Sequence, residues 1–311
     1  MHLHKQFIGL FLVFLTLLFA GITCVRIIKA NPHGIITPIS DTLHAVSLPL
    51  SQNTFSRQET LTPLIQSTLG NSIDDFGLVI NNFKTHETYS HNEHVPYESG
   101  SLYKLWIMAT VYKQIKNGQL RETDLLQQEI PILNEKFRIS TENAELTDGS
   151  IALTVRDALF RMITISDNYA ALLLTEKVRL SNVAKFLTEY GYSESKVGLD
   201  GSLPTTTSSD IAKFFTDIYN ENMLGKPYDT LMLQLLKQQK LNHKIPKNLP
   251  KTVEIAHKTG ELNSVTHDAG IVYTPKGDYI ITVLSESQNP QNAEHQISIL
   301  SESIYNHFTT E

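Results

Sequence analysis

Residues 7–25 carry no charge and are apolar almost throughout, with Lys5 before them and Arg26 and Lys29 after. A run of that length can span a bilayer. Its place at the amino terminus beside basic residues predicts a signal anchor or signal peptide over residues 1–30, not a core helix. Residues 31–58 lose this pattern and carry Asn31-Pro32, Thr37-Pro38 and Ser51-Gln52-Asn53, which predicts a linker. Patterning resumes with a helix near 59–69. Phe76 to Ile80 and the partly alternating stretch Thr85 to Ser90 predict a hairpin turning around Asn81 to Lys84. Leu102 to Ile115 is apolar on nearly every side, as in a helix buried at the centre of a domain.

Helical patterning continues to about residue 245. Thr154 and Asp157 are spaced as a capping box, and the run Thr205 to Asp210 is set to cap a helix over Ile211 to Tyr219. Strand character returns at Val253 to Lys258, which puts Lys258 at a strand end, and again at Ala269 to Tyr273 and Tyr279 to Leu284. The last two are joined by the turn Thr274-Pro275-Lys276-Gly277. In Asn292 to Phe308 the apolar residues Ile297, Leu300, Ile304 and Phe308 recur at helical spacing. The expected fold class is α+β: an antiparallel sheet covered by the first and last helices, with an all-helical lobe inserted over about 113–245, in one domain spanning 59–311.

Three short strings stand in order along this framework: Ser101-Leu102-Tyr103-Lys104, Ser166-Asp167-Asn168 and Lys258-Thr259-Gly260. Acyl transfer without histidine needs a serine hydroxyl, an amine to take its proton, a second hydroxyl or amide to relay it, and a cation for a substrate carboxylate. The three strings supply each part. Spacing of three places Ser101 and Lys104 on one helix face, and burial lowers a lysine pKa toward a working base. The helix start at Ser101 favours a developing oxyanion. A second copy of the first template, Ser193 to Lys196, is followed by a stretch with two glycines and reads as a surface turn.

With these motifs, the stretch Leu153 to Asn168, the triplet Thr205-Thr206-Thr207 and the segment His267 to Tyr273, residues 59–311 resemble the penicillin-recognising serine hydrolases, specifically the class A β-lactamase-like group. That resemblance implies Ser101 as nucleophile, Lys104 as its base and Ser166 as proton relay to the leaving nitrogen. It implies Asn168 holding the substrate's side-chain amide, and Lys258, Thr259 and Gly260 forming the carboxylate-binding strand. The implied oxyanion hole is the backbone NH groups of Ser101 and Glu261. The substrate would be a β-lactam or a peptidoglycan peptide.

Two departures from the family pattern matter. No Glu-x-x-Leu-Asn string, the source of the water-activating carboxylate, follows Ser-Asp-Asn. Asp200 is the sole carboxylate in the abbreviated stretch Gly198 to Pro204, where it reads as a turn former, the alternative being a stand-in base for water. No arginine follows Arg179 either, leaving His267, Lys258 or Ser264 to steady a substrate carboxylate. Acylation is therefore expected to be equipped and deacylation slow. A D-alanyl-D-alanine peptidase or an acylated sensor fits that profile as well as a lactamase does.

A net charge of −6 without a Lys/Arg cluster excludes nucleic acid as a partner. His86, His91 and His94 include a His-x-x-His spacing but gather no further ligand, so neither a metal nor a cofactor is expected. Cys24 is the sole cysteine and can form no disulfide within the chain. Retention of the anchor, its cleavage, or lipidation at Cys24 would each export the catalytic part. The expectation is a monomer acting outside the cytoplasm, either secreted or held to the membrane through residues 7–25.

Overall fold

The computed structural model describes residues 58–310, so the apolar segment 7–25 and nearly all of the linker fall outside the described residues. The main sheet runs in the order β2 (Thr88–His91), β1 (Phe76–Asn82), β9 (Tyr279–Ser285), β8 (Val265–Val272), β7 (Ile255–Leu262), and every neighbouring pair is antiparallel. Alternation decides which face each strand residue serves. Phe76, Leu78 and Ile80 of β1, with Ile281 and Val283 of β9, point into a core shared with α1 (Gln58–Leu69) and α9 (Pro290–Thr310), where Leu61, Ile65, Ile297, Leu300 and Ile304 meet them. Ile271, Ile280 and Leu284 face the opposite core. There α7 (Ser208–Tyr219) lies across β1, β8 and β9, and α8 (Tyr228–Leu236) packs on β7. Burying each such side chain contributes roughly 1.5–3 kcal/mol, so the sheet is fixed from both sides.

The helix expected at the domain centre is α2 (Tyr103–Lys116), buried continuously from Lys104 to Tyr112. It is surrounded by α4 (Val155–Thr164), α5 (Asn168–Val178), α6 (Leu180–Glu189) and α8, which explains why it has no polar face. Side-chain caps fix where its neighbours begin. Thr154 Oγ1 accepts from the Asp157 amide, Asp167 Oδ1 from the Ala170 amide, and Thr207 Oγ1 from the Asp210 amide. Each cap stabilises its helix by about 1 kcal/mol.

Two expectations need correction. The inserted lobe is not all-helical. Besides α3 (Ile130–Lys136) it carries the antiparallel ribbon β4 (Leu125–Glu129) with β5 (Ser150–Thr154), while β3 (Tyr97–Glu98) pairs with β6 (Thr205–Thr206) at its border. Leu-Leu-Gln-Gln-Glu has little strand propensity of its own, and pairing across the intervening loop, not local preference, makes it a strand. Lys258 is not at a strand end. β7 runs on through Gly260 to Leu262 because all of its residues pair with β8, and that ladder overrides the break a glycine would signal in isolation.

Candidate active site

Ser101 sits in a single 3₁₀ turn, Gly100–Leu102, that leads directly into α2. The turn is seated against the free edge of β7. Gly100 adopts φ +47°, and a Cβ there would fall 2.7 Å from the Glu261 amide nitrogen. Gly260 faces the turn just as closely, for a Cβ on it would meet the Ser99 carbonyl at 2.8 Å and Leu102 Cγ at 3.0 Å. Glycine at both positions lets two backbones touch. The half-buried Ser101 hydroxyl makes no hydrogen bond with any described residue.

Lys104, one turn further along, is completely buried, and its ammonium donates to the Ser166 carbonyl (2.6 Å), Ser166 Oγ (3.2 Å) and Asn168 Oδ1 (2.7 Å). Burial pushes its pKa down to about 8, against the pull of Asp167 and Glu145. Ser166 joins α4 to α5 at φ +59°, a left-handed conformation that costs a residue with a Cβ about 1–2 kcal/mol. The strain aims its hydroxyl between two cations, since Lys258 Nζ donates to the same Oγ at 3.0 Å. Lys258 is also fully buried and donates to the Thr259 carbonyl at 2.8 Å. Its pKa is held well below the ordinary lysine value, first by burial and then by the Lys104 charge. The three sequence strings therefore converge, and Ser166 Oγ is the atom on which the two lysines meet.

The oxyanion-hole candidate Glu261 places its amide nitrogen toward the nucleophile turn, while its side chain leaves on the other side. There its carboxylate accepts from Lys244 Nζ at 2.5 Å and lies 3.0 Å from His243 Nε2. Burial opposes charge on Glu261, but Lys244 and His243 outweigh it and hold the pKa below the usual carboxylate range. Lys244, fully buried within the loop between α8 and β7, is a cation that no motif marks.

His267 cannot serve as the carboxylate-binding cation that the sequence left open. Burial pushes its pKa down to about 4, its Nε2–H donates to the Glu98 carbonyl (2.8 Å) and Nδ1 accepts from the Ser285 amide (3.0 Å). His257, on the face of β7 opposite Lys258, is held by Asp268 and Asn242. Asp200 is exposed and accepts from its own turn, from Ser202 Oγ at 2.7 Å and the Ser202 amide at 3.1 Å.

The carboxylate that does reach the site is Glu145. Its Oε1 accepts from Asn168 Nδ2 at 2.5 Å. Residues 137–149 have no periodicity, so nothing in the sequence marked it. Among the described residues no three His, Cys, Asp or Glu side chains gather as a metal site would require.

The model of the beta-lactamase enzyme family matches residues 58–308, nearly all of the described chain. The chain belongs to that family. It is therefore a serine hydrolase that works through an acyl-enzyme. Among curated proteins, Beta-lactamase VEB-1 of Pseudomonas aeruginosa is 23% identical over 270 residues, covering 79% of this chain and 89% of that one. A β-lactamase from Sphaerobacter thermophilus superposes with a TM-score of 0.69 at 22% identity, covering 81% of this chain and 98% of that one. PBP-A does so with 0.69 at 21%, covering 81% and 97%. A variant of PBP-A solved as an acyl-enzyme with penicillin G gives 0.68 at 22%, covering 81% and 98%. These likenesses establish the α+β β-lactamase fold.

Proposed function

We propose that Ser101 is acylated by β-lactams, or by peptides ending in D-Ala-D-Ala, and that the acyl group then leaves slowly. The observation that carries this reading is the convergence of Lys104 and Lys258 on Ser166 Oγ, beside the turn that presents Ser101 to the edge of β7. In its neutral form Lys104 accepts the Ser101 proton. Ser166 then passes a proton to the leaving nitrogen. The amides of Ser101 and Glu261 stabilise the oxyanion, and Lys258 with Thr259, on the strand through Gly260, holds the substrate carboxylate. Asn168 binds the side-chain amide.

Slow release follows from the loop between Lys196 and Thr205. Its one acidic residue, Asp200, is exposed and accepts from Ser202 of its own turn, and no Glu-x-x-Leu-Asn string supplies another carboxylate, which supports this reading. A penicillin-binding peptidase or sensor shares this first half-reaction, and so does a slow lactamase. The domain would work outside the cytoplasm, as a monomer tethered or exported through residues 7–25.

The test is intact-mass spectrometry of the exported domain during incubation with benzylpenicillin. A covalent adduct is expected to form and to persist for many minutes. Free enzyme together with rapidly accumulating hydrolysed penicillin would overturn slow deacylation, and no adduct would overturn the reading altogether. Release of D-alanine from a pentapeptide then separates peptidase from sensor.

A further inference from the structure

The orientation of the Asn168 side chain is fixed by its two neighbours. An ammonium has no acceptor and a carboxylate no donor, so Oδ1 must face Lys104 and the NH2 group must face Glu145. The NH2 group is the donor that, on the proposed function, takes the carbonyl of a substrate's acyl side chain. In the free site a carboxylate oxygen already stands in that carbonyl's place. Glu145 lies on an exposed loop, its neighbour Leu146 tied down by the Tyr169 hydroxyl, so the carboxylate is held at the rim. Asp167, the other acidic group that acts on Lys104, is committed to the cap of α5.

We propose that Glu145 sets the charge preference of the acyl side-chain subsite, selecting substrates with an ammonium on the carbon next to the side-chain carbonyl and disfavouring those with a carboxylate there. This inference rests on the acylation proposed above. When the substrate carbonyl takes the Asn168 NH2 group, Glu145 is displaced by no more than the width of that oxygen. A substituent on the adjacent carbon then lies within a few ångströms of the displaced carboxylate. At that range, in a solvent-exposed setting, a unit charge changes binding by about threefold in either direction, so the swing between cation and anion is about tenfold. The Lys104 charge is common to the wild type and to Glu145 variants, so it drops out of the comparison between them.

Benzylpenicillin, ampicillin and carbenicillin form a matched set that differs at this carbon: hydrogen, amine or carboxylate. Their second-order rates of acylation are measured by intact mass in slightly acidic buffer, where the ampicillin amine is protonated. The wild-type protein is expected to favour ampicillin over carbenicillin, each scaled to benzylpenicillin. Glu145→Gln should collapse that ratio about tenfold, and Glu145→Lys should invert it. A ratio unchanged in both variants overturns the inference, and so does an equal change for all three drugs or a uniformly longer-lived adduct, which would make Glu145 a base for water. Failure of all three drugs to acylate the wild-type protein overturns the proposed function, and this inference with it.

Discussion

Replacement of Lys104 by methionine is expected to slow acylation by benzylpenicillin about a thousandfold, within the roughly 10²–10⁴ that a positioned general base contributes. Methionine keeps the length and volume of the stem in a site with no exposure, so the packing of α2 survives. The loss is chemical. Ser101 then has no amine to accept its proton, while the Ser166 carbonyl and Asn168 Oδ1, on residues that are half-buried and exposed respectively, lose a donor that water can replace.

The wild-type pH profile reports the same group. Burial lowers the Lys104 pKa from 10.5 to about 8, and the neutral amine is the base, so the acylation rate climbs as pH rises toward 8 and levels off above it. Below that point the rate should fall about tenfold per pH unit. A flat profile between pH 6.5 and 9, or a Lys104→Met protein that acylates at the wild-type rate, would contradict the assignment.

Trp106→Ala should cost about 3–5 kcal/mol, enough to unfold much of the protein at growth temperature. Trp106 follows Lys104 by two residues, has no exposure, and is wedged between Tyr192 at 4.8 Å and Phe214 at 5.3 Å, ring centre to ring centre. Removing the ring empties the contact between α2, the turn after α6 and α7. Trp106→Phe should cost far less, because the indole NH is buried without a partner and its loss removes an unpaired donor. Urea unfolding midpoints of the two variants check this. If phenylalanine proves as damaging as alanine, the wedge is not what Trp106 supplies.

Which parts were legible in the sequence follows from where the information lay. Ser101 and Lys104 could be related because three residues on a helix are one turn, a local rule, and Thr154 and Thr207 act as caps within three residues of themselves. The alternating core of β1 and β9 and the stripe on α9 were likewise periodic. Glu145 reaches Asn168 from a loop without pattern, and Lys244 reaches Glu261 from another. Neither loop has a period from which to infer a direction. β4 and β5 are strands only because they find one another, and β7 extends past Gly260 because β8 supplies its ladder. His267 can carry a charge but lies inside the core, where burial disfavours its protonated form. Each miss was a contact between distant segments.

Every proposed step requires acylation at Ser101 Oγ. The domain is treated with benzylpenicillin, denatured and cut with trypsin, and the fragments are sequenced by mass spectrometry. Cleavage after Lys84 and Lys104 isolates residues 85–104. The penicilloyl mass is expected on that fragment, at Ser101, and absent from the Ser101→Ala protein. The same mass on any other residue, or retained when Ser101 is alanine, would contradict the account.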